Sequence, residues 1–482
     1  MWCPELAQNS GGIEAYSADL LRALVELFGP QTVRVFTKHD TTAQLGKAWG
    51  TEIRCRGTGA APKRLRTAAF AAVISTAGLR YRPDLIISTH VNFSPIADRL
   101  KQMTGCRYML ALHGIDVWGL RHQQRRRGIA NADLNIAISK YTAGRVVKEQ
   151  AISPERIKVL RCIVDASHFA VGPKPDYLLK RYRLTAGQPV ILTVGRLSSA
   201  ERYKGHDRVL RVLKEVAEQL ESRKEKLENE RPAYAQGSGA VRPPSVGEKA
   251  DIGQGGKSEE PGGSKVESRK EKVEEEQSAK SQEHPPSQEA TARQEGQRKP
   301  RDYGAMGRPD DRTSSQPLTS NFQIPTSIRY LIVGDGDDRA RLEKLSEELG
   351  VADLVTFADR VPPPELADHY RLCDLFAMPS TGEGFGIVFL EALACGKPVL
   401  AGNRDAAADP LLDGELGVLV DPDNPQQLAS AIVQILSGTY SHPLLYKPEE
   451  LRRRVIDEFG YERFKDRLQA ILEPLIPRSA KG

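Results

Sequence analysis

The sequence predicts an α/β protein of two domains, each built on a parallel sheet, with a long disordered insertion in the second domain. Two observations support this fold class. Short apolar segments alternate with amphipathic ones, as they do where helices cover both faces of a parallel sheet. A polar tract then interrupts the alternation between residues 222 and 321. We expect a first domain over 1–172 and a second over 173–221 and 322–455.

The first domain opens with a glycine pair, Gly11-Gly12, followed by an amphipathic helix with Leu20, Leu21 and Leu24 on its apolar face. The later apolar runs have the length and composition of buried strands. The strands predicted for this domain are 33–36, 85–88, 108–112, 134–138 and 157–160.

The second domain continues the alternation from about Gln188. Its predicted strands are 190–194, 330–334, 355–357, 374–378 and 399–401. Its predicted helices are 206–220, 339–349 and 364–372, and an amphipathic helix over 462–472 follows near the end of the chain.

The tract over 222–321 is rich in Glu, Lys, Ser, Gln, Gly and Pro and nearly free of large apolar side chains. It buries too little surface to offset the entropy of ordering, so we expect disorder. The segment ESRKEK at 221–226 recurs at 267–272, which indicates growth by duplication. A tail that binds a partner or regulates the protein is the alternative interpretation.

The bulk composition excludes some functional classes. The formal net charge is +6, and the first 150 residues hold an excess of roughly ten basic over acidic side chains. This excess predicts attraction to anionic lipid or an anionic substrate, with a solvated basic face as the alternative. Nucleic acid is disfavoured because no aromatic-plus-basic recognition pattern accompanies the charge.

Cysteine usage and hydropathy point to a cytoplasmic protein. The six cysteines lack metal or redox spacing and suit reduced thiols. No apolar run is long enough to span a bilayer, and the opening MWCPELAQNSGG lacks the pattern of a signal peptide. We expect a cytoplasmic protein that can lie peripherally at the inner face of an anionic membrane.

The most informative stretch is PSTGEGFGIVFLEALACGKP at 379–398. A predicted strand, a loop with Gly384-Phe385-Gly386 and an apolar helix follow one another, so backbone N–H groups and the helix dipole face a phosphate. Glu383 and Glu391 flank this loop. Carboxylates repel phosphate but accept hydrogen bonds from hydroxyls, which indicates a sugar and a ribose on one phosphorylated ligand.

Two cations follow the strand over 190–194. Arg196 comes after the strand end and Lys204 lies eight residues later, before a helix. Ligands of open α/β sheets bind beyond the carboxyl ends of strands, so this pair suits a diphosphate that gains charge as it leaves. Two solvated surface cations are the alternative.

His113 ends another predicted strand, in the motif LHGID. It can hydrogen-bond a bound sugar or support charge near a reacting carbon, whereas a capped strand end is the alternative. The motif GDGDD at 334–338 resembles an acidic metal motif, but its place before a helix favours Asp337 or Asp338 as a helix N-cap.

These motifs together resemble the retaining glycosyltransferases of family 4, with their glycosyltransferase group 1 domain and GT-B fold. The matching segments follow the family's order and cover nearly the whole chain outside the insertion. They are GGIEAYS at 11–17, LHGID at 112–116, AISKYTA at 137–143, VGRLSSAERYKG at 194–205, LIVGDGDD at 331–338, FADRV at 357–361 and EGFGIVFLEALACGKPV at 383–399.

The resemblance implies two Rossmann-like domains that face a cleft, with the nucleotide sugar held by the second. It implies transfer of a sugar from a UDP- or GDP-linked donor to a saccharide or lipid-linked acceptor with retention, in cell-surface polysaccharide or glycolipid synthesis. No cofactor or obligatory metal is expected, because fixed cations take over the metal's task. The segment 456–482 would be a helix that crosses back to the first domain.

The resemblance also assigns roles to residues. Arg196 and Lys204 would bind the donor diphosphate, Glu383 the transferred sugar and Glu391 the ribose hydroxyls. His113 would lie near the anomeric carbon, and it joins Glu383, Arg196 and Lys204 as the predicted catalytic set. Backbone amides around Gly384, Phe385, Gly386 and Ile387 would help Glu383 to hold the transferred sugar. Gly12 would lie near the phosphates, and Arg360 and Val361, in the segment 357–361, would frame the base.

Three departures from the family pattern carry expectations of their own. The first strand of the family is reduced to MWC, so either the start site is misplaced or the first domain lacks its central strand. Residues 161–165 read RCIVD instead of a common PNGVD, which alters the entry to the hinge. Asp359 replaces a common glycine in the base-framing segment.

Two other functions stay open at this point. A non-catalytic protein that binds nucleotide sugars would account for a missing central strand. A nucleotide-sugar epimerase on the same fold would need acid and base carboxylates that the sequence does not identify.

Overall fold

The computed structural model describes residues 1–7, 11–229 and 328–476, which form two parallel sheets flanked by helices. The strands of the first sheet are β1 (Trp2–Cys3), β2 (Arg34–Thr37), β3 (Arg54–Gly57), β4 (Leu85–Ser88), β5 (Arg107–Leu112), β6 (Leu134–Ala137) and β7 (Ile157–Val159). Those of the second sheet are β8 (Val190–Val194), β9 (Arg329–Val333), β10 (Val355–Phe357), β11 (Leu375–Met378), β12 (Val399–Gly402) and β13 (Val418–Val420).

Helices alternate with these strands along the chain. The helices of the first domain are α1 (Gly12–Phe28), α2 (Thr42–Trp49), α3 (Arg66–Tyr81), α4 (Ser94–Thr104), α5 (Gln123–Asn131) and α6 (Lys140–Gln150). Those that follow are α7 (Asp176–Arg181), α8 (His206–Asn229), α9 (Arg339–Glu348), α10 (Pro363–Leu372), α11 (Ile387–Ala394), α12 (Pro425–Leu436), α13 (Pro448–Phe459) and α14 (Tyr461–Leu472).

The first sheet has the strand order β3-β2-β1-β4-β5-β6-β7, and its central position is filled. Trp2 and Cys3 pair with Phe36 and Thr37 of β2, and Trp2 also pairs with Ser88 of β4. Both side chains of β1 are buried. Of the two alternatives given for this region, a first domain without this strand is therefore wrong, because two residues suffice to join the strands on either side.

The second sheet has the order β10-β9-β8-β11-β12-β13, again with parallel neighbours. The strands β11 and β12 are buried along their whole length. This matches their unbroken apolar sequence, since helices cover both faces of such a sheet.

The boundary of the predicted insertion needs a correction. Helix α8 continues to Asn229, so residues 222–229 are helical rather than disordered. Arg223 donates to the hydroxyl of Ser437 (2.7 Å), which ties this extension to the end of α12. The Glu- and Lys-rich sequence also favours helix intrinsically. Residues 230–321 of the predicted insertion lie outside the described residues.

Side chains join the two domains near the end of the first sheet. Asp409 accepts the backbone N–H groups of Lys140 (3.1 Å) and Tyr141 (3.2 Å) at the start of α6, where a negative charge complements the helix dipole. Arg161, from the altered hinge segment, contacts both Asp409 (3.3 Å) and Glu458 (2.8 Å). The departure at 161–165 thus supplies an ion-paired residue between the domains.

The end of the chain packs against the first domain. The guanidinium of Arg22 on α1 lies 4.1 Å above the ring centre of Tyr461, and the rings of Tyr16 and Phe464 meet edge to face at 5.9 Å. These contacts place α14 beside α1. No helix among the described residues has the length and apolar character needed to cross a membrane.

Candidate active site

The loop between β11 and α11 carries the predicted phosphate site. Gly386 precedes the helix with φ of +86°, in the left-handed region that favours glycine. No side chain caps α11, so its first N–H groups point outward without an intrahelical acceptor. Within the loop, the N–H of Glu383 donates to Asp405 (2.7 Å), which fixes the backbone there. The helix start can therefore bind an anion.

Two cations and two carboxylates meet beside this loop. Lys204 Nζ lies 3.1 Å from Glu383 Oε2 and 3.6 Å from Glu201 Oε2. Arg196 also contacts Glu201, but its side chain is 78% exposed whereas that of Lys204 is 12% exposed. The structure thus brings Lys204 and Glu383 together and leaves Arg196 at the solvent-facing side of the cluster. Both predicted diphosphate ligands have a carboxylate partner in this state.

Glu391 lies within α11 and is paired with an aromatic hydroxyl. Tyr370 on α10, which is fully buried, donates to Glu391 Oε2 at 2.6 Å. Burial raises the pKa of Glu391 to about 7, and the hydrogen bond from Tyr370 opposes that rise. Within the described residues the other oxygen of Glu391 accepts no hydrogen bond. One oxygen of Glu391 is therefore able to accept a further hydrogen bond.

His113 follows β5 in the first domain and is buried. Its Nε2 lies 2.9 Å from the carbonyl oxygen of Thr89. Because a carbonyl can only accept, Nε2 carries the proton and Nδ1 is an acceptor. Burial lowers the pKa of His113 to about 4, so the ring is neutral at pH 7. A neutral ring with this tautomer can accept a hydrogen bond through Nδ1 and carries no charge.

Asp116 shapes the turn that follows His113. Its Oδ1 accepts the N–H of His113 at 3.0 Å, and Gly114 within the turn has φ of +106°. Burial raises the pKa of Asp116 to about 7. Its Oδ2 is buried without a hydrogen-bond partner among the described residues. The position of His113 therefore depends on a turn that requires glycine and on one carboxylate.

Glycines bring the two domains into direct contact at this site. A Cβ atom built on Gly384 would lie 2.3 Å from the carbonyl oxygen of His113, and one built on Gly114 would lie 2.9 Å from the Cα of Gly384. A Cβ on Gly12 would lie 3.8 Å from Ile387 Cδ1, which is an ordinary contact. The start of α1 and the turn after β5 therefore both face the loop that leads into α11.

The predicted base-framing segment, 357–361, follows β10. Asp359 has φ of +52°, which explains why a glycine suits this position, and its side chain pairs with Arg339. The carbonyl of Asp359 accepts the N–H of Gly334 at 2.8 Å. Arg360 is exposed, and Val361 packs on the core as a partly buried residue. The departure at Asp359 thus preserves the backbone shape and adds an ion pair.

The acidic motif over 334–338 makes ion pairs and hydrogen bonds within the protein. Asp337 accepts the N–H of Ser199 at 3.0 Å, and Asp338 accepts from Arg202 (2.9 Å) and Arg341 (2.6 Å). Asp338 occupies the N-cap position of α9, as predicted, although its side chain makes no capping hydrogen bond. Across the described ranges no group of three or more His, Cys, Asp or Glu side chains could hold a metal.

Several residues at the site were missed by the sequence analysis. Tyr370 sits in an amphipathic helix and resembles an ordinary core residue. Asp405 follows β12 in a segment without a distinctive motif. Glu201 had a usable signal, since it lies three residues before Lys204, but its contact with Arg196 depends on the fold. Phe385, by contrast, was predicted at the site, yet its ring is buried against Phe459 (6.1 Å), so its backbone is the part left for a ligand.

Two Rossmann-like parallel sheets whose loops face each other are the arrangement of the GT-B fold. Residues 10–168 match the family model described as Glycosyltransferase Family 4, and residues 320–457 match the one described as Glycosyl transferases group 1. The chain belongs to this glycosyltransferase family. The predicted family and fold class are confirmed.

Named relatives align with short stretches of the chain. A D-inositol 3-phosphate glycosyltransferase of Acidothermus cellulolyticus is 37% identical over 130 residues, or 26% of this chain and 29% of the relative. A GDP-mannose-dependent alpha-(1-6)-phosphatidylinositol monomannoside mannosyltransferase of Mycolicibacterium smegmatis is 39% identical over 113 residues, or 22% of this chain and 30% of the relative. The chain thus aligns with less than a third of the length of either relative.

A solved structure shares the fold over nearly the full length. The Anabaena protein HepE, crystallised in complex with UDP, has a TM-score of 0.61 and 16% sequence identity. The alignment covers 98% of this chain and 99% of HepE. At this identity the likeness establishes the fold.

Proposed function

We propose that this protein transfers a hexosyl group from a UDP- or GDP-linked sugar to a saccharide or lipid-linked acceptor, with retention at the anomeric carbon. The observation that carries the proposal is the contact between Lys204 and Glu383 at the start of α11, directly opposite the His113 turn. One small region thus offers a cation and a helix N-terminus for a diphosphate, and a carboxylate and an imidazole for sugar hydroxyls.

The donor diphosphate would bind between Lys204, Arg196 and the first turn of α11. The charge that develops on the leaving diphosphate is stabilised by these groups, which are in place before the reaction begins. Glu391 would accept a ribose hydroxyl through the oxygen that Tyr370 does not occupy. The exposed Arg360 and the backbone of segment 357–361 would frame the base.

The transferred sugar would lie between Glu383 and His113. Glu383 accepts hydrogen bonds from sugar hydroxyls, and neutral His113 accepts one through Nδ1. In a front-face displacement, the bond from the anomeric carbon to the phosphate oxygen breaks as the acceptor oxygen bonds to that carbon. The acceptor proton passes to the departing phosphate, so no separate protein base is required.

The relatives support the choice of donor and acceptor class. Their names mention GDP-mannose, inositol phosphate and a phosphatidylinositol mannoside, and HepE was crystallised with UDP. We therefore assign the reaction to glycolipid or cell-surface polysaccharide synthesis. The filled central strand β1 removes the observation that motivated a non-catalytic sugar-nucleotide binder.

A donor panel with a matched variant tests this proposal. Purified protein is offered UDP- and GDP-sugars, and nucleotide release is measured with and without acceptor saccharides or lipids. We expect slow hydrolysis of one donor, and a loss on the order of 10²-fold in Glu383→Ala. The control is Glu415→Ala, which removes an exposed glutamate paired with Arg454. A folded Glu383→Ala variant with the parent rate, or no donor turned over at all, would contradict the proposal.

A further inference from the structure

A second set of cations lies far from the candidate active site. A cavity of about 360 Å³ opens between the edge strand β3, its neighbour β2 and helix α3. Four arginines line it: Arg34, Arg54, Arg56 and Arg80. Within the described part of the chain, none of these guanidinium groups has a carboxylate partner. Arg404, by comparison, pairs with both Asp421 and Asp423.

Strand register concentrates this charge on one face. Arg34 and Arg54 are direct partners on β2 and β3, and Phe36 and Arg56 are the partners two residues on. Because side chains alternate along a strand, these four residues share the face that α3 covers only in part. Like charges placed directly opposite each other destabilise a sheet. The fold therefore maintains an unfavourable cluster that a bound anion would relieve.

An aromatic ring shapes one side of the cavity. The guanidinium of Arg34 lies 4.0 Å from the ring centre of Tyr81, and that of Arg80 lies 6.0 Å from it. Stacking of this kind holds a guanidinium in one plane while leaving its N–H groups available. Tyr81 itself is 46% exposed, and the neighbouring Leu79 is 44% exposed.

The cavity is separate from the donor site. Arg34 and Arg54 are the first residues of β2 and β3, whereas His113 follows the last residue of β5. In a parallel sheet all strands run in the same direction, so the first residues of β2 and β3 and the residue after β5 lie at opposite ends of the strands. The charge in the cavity therefore cannot serve the diphosphate held at α11.

We propose that this arginine cavity binds the phosphoryl group of a second ligand, distinct from the sugar donor. Guanidinium groups form paired hydrogen bonds to phosphate oxygens, and several of them around one small cavity suit a phosphomonoester, a diphosphate or a lipid phosphate. The inference goes beyond the proposed transferase reaction and does not depend on it.

Calorimetric titration with inorganic pyrophosphate tests the site. The variant Arg54→Gln/Arg56→Gln removes two exposed arginines from the edge strand, and Arg121→Gln/Arg126→Gln removes the same charge from exposed positions of the same domain outside the cavity. We expect cavity binding to weaken about tenfold or more in the first variant and to stay unchanged in the second. Equal behaviour of the two variants would overturn the proposal.

Two further experiments distinguish the cavity from the donor site, and a lipid phosphate from a soluble one. Lys204→Gln should weaken pyrophosphate binding at the donor site alone, so its failure to do so would count against the proposed function and not against the cavity. Co-sedimentation with phosphatidylcholine vesicles, with and without phosphatidylglycerol, then identifies the source. Loss of pelleting in Arg54→Gln/Arg56→Gln assigns a lipid phosphate, and unchanged pelleting with lost pyrophosphate binding assigns a soluble one.

Discussion

The two walls of the candidate site differ in what they contribute. The wall from the second domain carries charge: Lys204 Nζ lies 3.6 Å from Glu201 Oε2 and 3.1 Å from Glu383 Oε2. Among the described residues, the first-domain wall makes no ion pair with these side chains; it presents Gly114 and the neutral ring of His113. From this difference we predict that the second-domain wall stabilises charge on the donor while the first-domain wall sets the shape of the cleft.

The largest effect is expected from the charged wall. Lys204→Gln removes the largely shielded cation that would stabilise the leaving diphosphate, so kcat should fall on the order of 10²- to 10³-fold. Lys344→Gln, which removes an exposed lysine paired with Glu348, is the control and should leave kcat unchanged. If Lys204→Gln retained full kcat, the predicted role of the second-domain wall in stabilising charge would be contradicted.

The next largest effect is expected where a single added methyl group disturbs the contact between the two walls. Gly384→Ala would place a Cβ atom 2.3 Å from the carbonyl of His113, so the walls must move apart. Since misplacement by about 1 Å can cost ~10²-fold in rate, we expect a loss of that order in kcat/KM. Gly144→Ala, where a Cβ meets open space, is the matched control. Unchanged kinetics in Gly384→Ala would show that the glycine contact has no part in catalysis.

The titration of Glu391 should make nucleotide affinity depend on pH. Its pKa is about 7, and a ribose hydroxyl needs the ionised form as acceptor. Nucleotide affinity should therefore weaken as pH falls from 7 to 6, by up to about tenfold. Calorimetry of UDP and GDP binding measures this, and Glu391→Gln should abolish the dependence.

The carboxyl of Glu391 should change stability with pH in the direction opposite to its effect on nucleotide affinity. Burial raises the pKa of Glu391 in the folded protein, so the neutral form is the one that the fold favours. Its contribution to the free energy of unfolding should thus be greatest at low pH and decline as pH rises towards about 7. The free energy of unfolding of the parent protein, relative to that of Glu391→Gln, should therefore fall as pH rises. If this difference instead rose with pH, the raised pKa of Glu391 would be contradicted.

The smallest effect concerns Glu201, which pairs with both predicted diphosphate ligands, Lys204 and Arg196. If it competes with the donor, Glu201→Gln should lower donor KM by up to about fivefold, the factor expected for partly exposed ion pairs. Glu218→Gln, on the exposed face of α8, is the control. A rise in KM would instead make Glu201 a residue that positions the two cations.

Sequence reasoning found most of the second-domain wall, because its signals are local. Strand β11, the glycine loop and the start of α11 are consecutive, so their order alone predicts an anion site. The sequence did not predict the strands β1 and β3 of the first domain. A two-residue strand has no periodicity to detect, and RCRG at 54–57 looks like a basic loop until it pairs with β2.

The sequence by itself determined the family, the two-sheet architecture and the loop into α11, since each depends on apolar periodicity or on residues close together in the chain. The tertiary structure alone decided the contacts made across long separations. These are the pairing of Glu201 with Arg196, the Tyr370 hydrogen bond to Glu391, the Gly114–Gly384 contact and the arginine cavity. Burial and register create them, and neither has a signature within a short stretch of sequence.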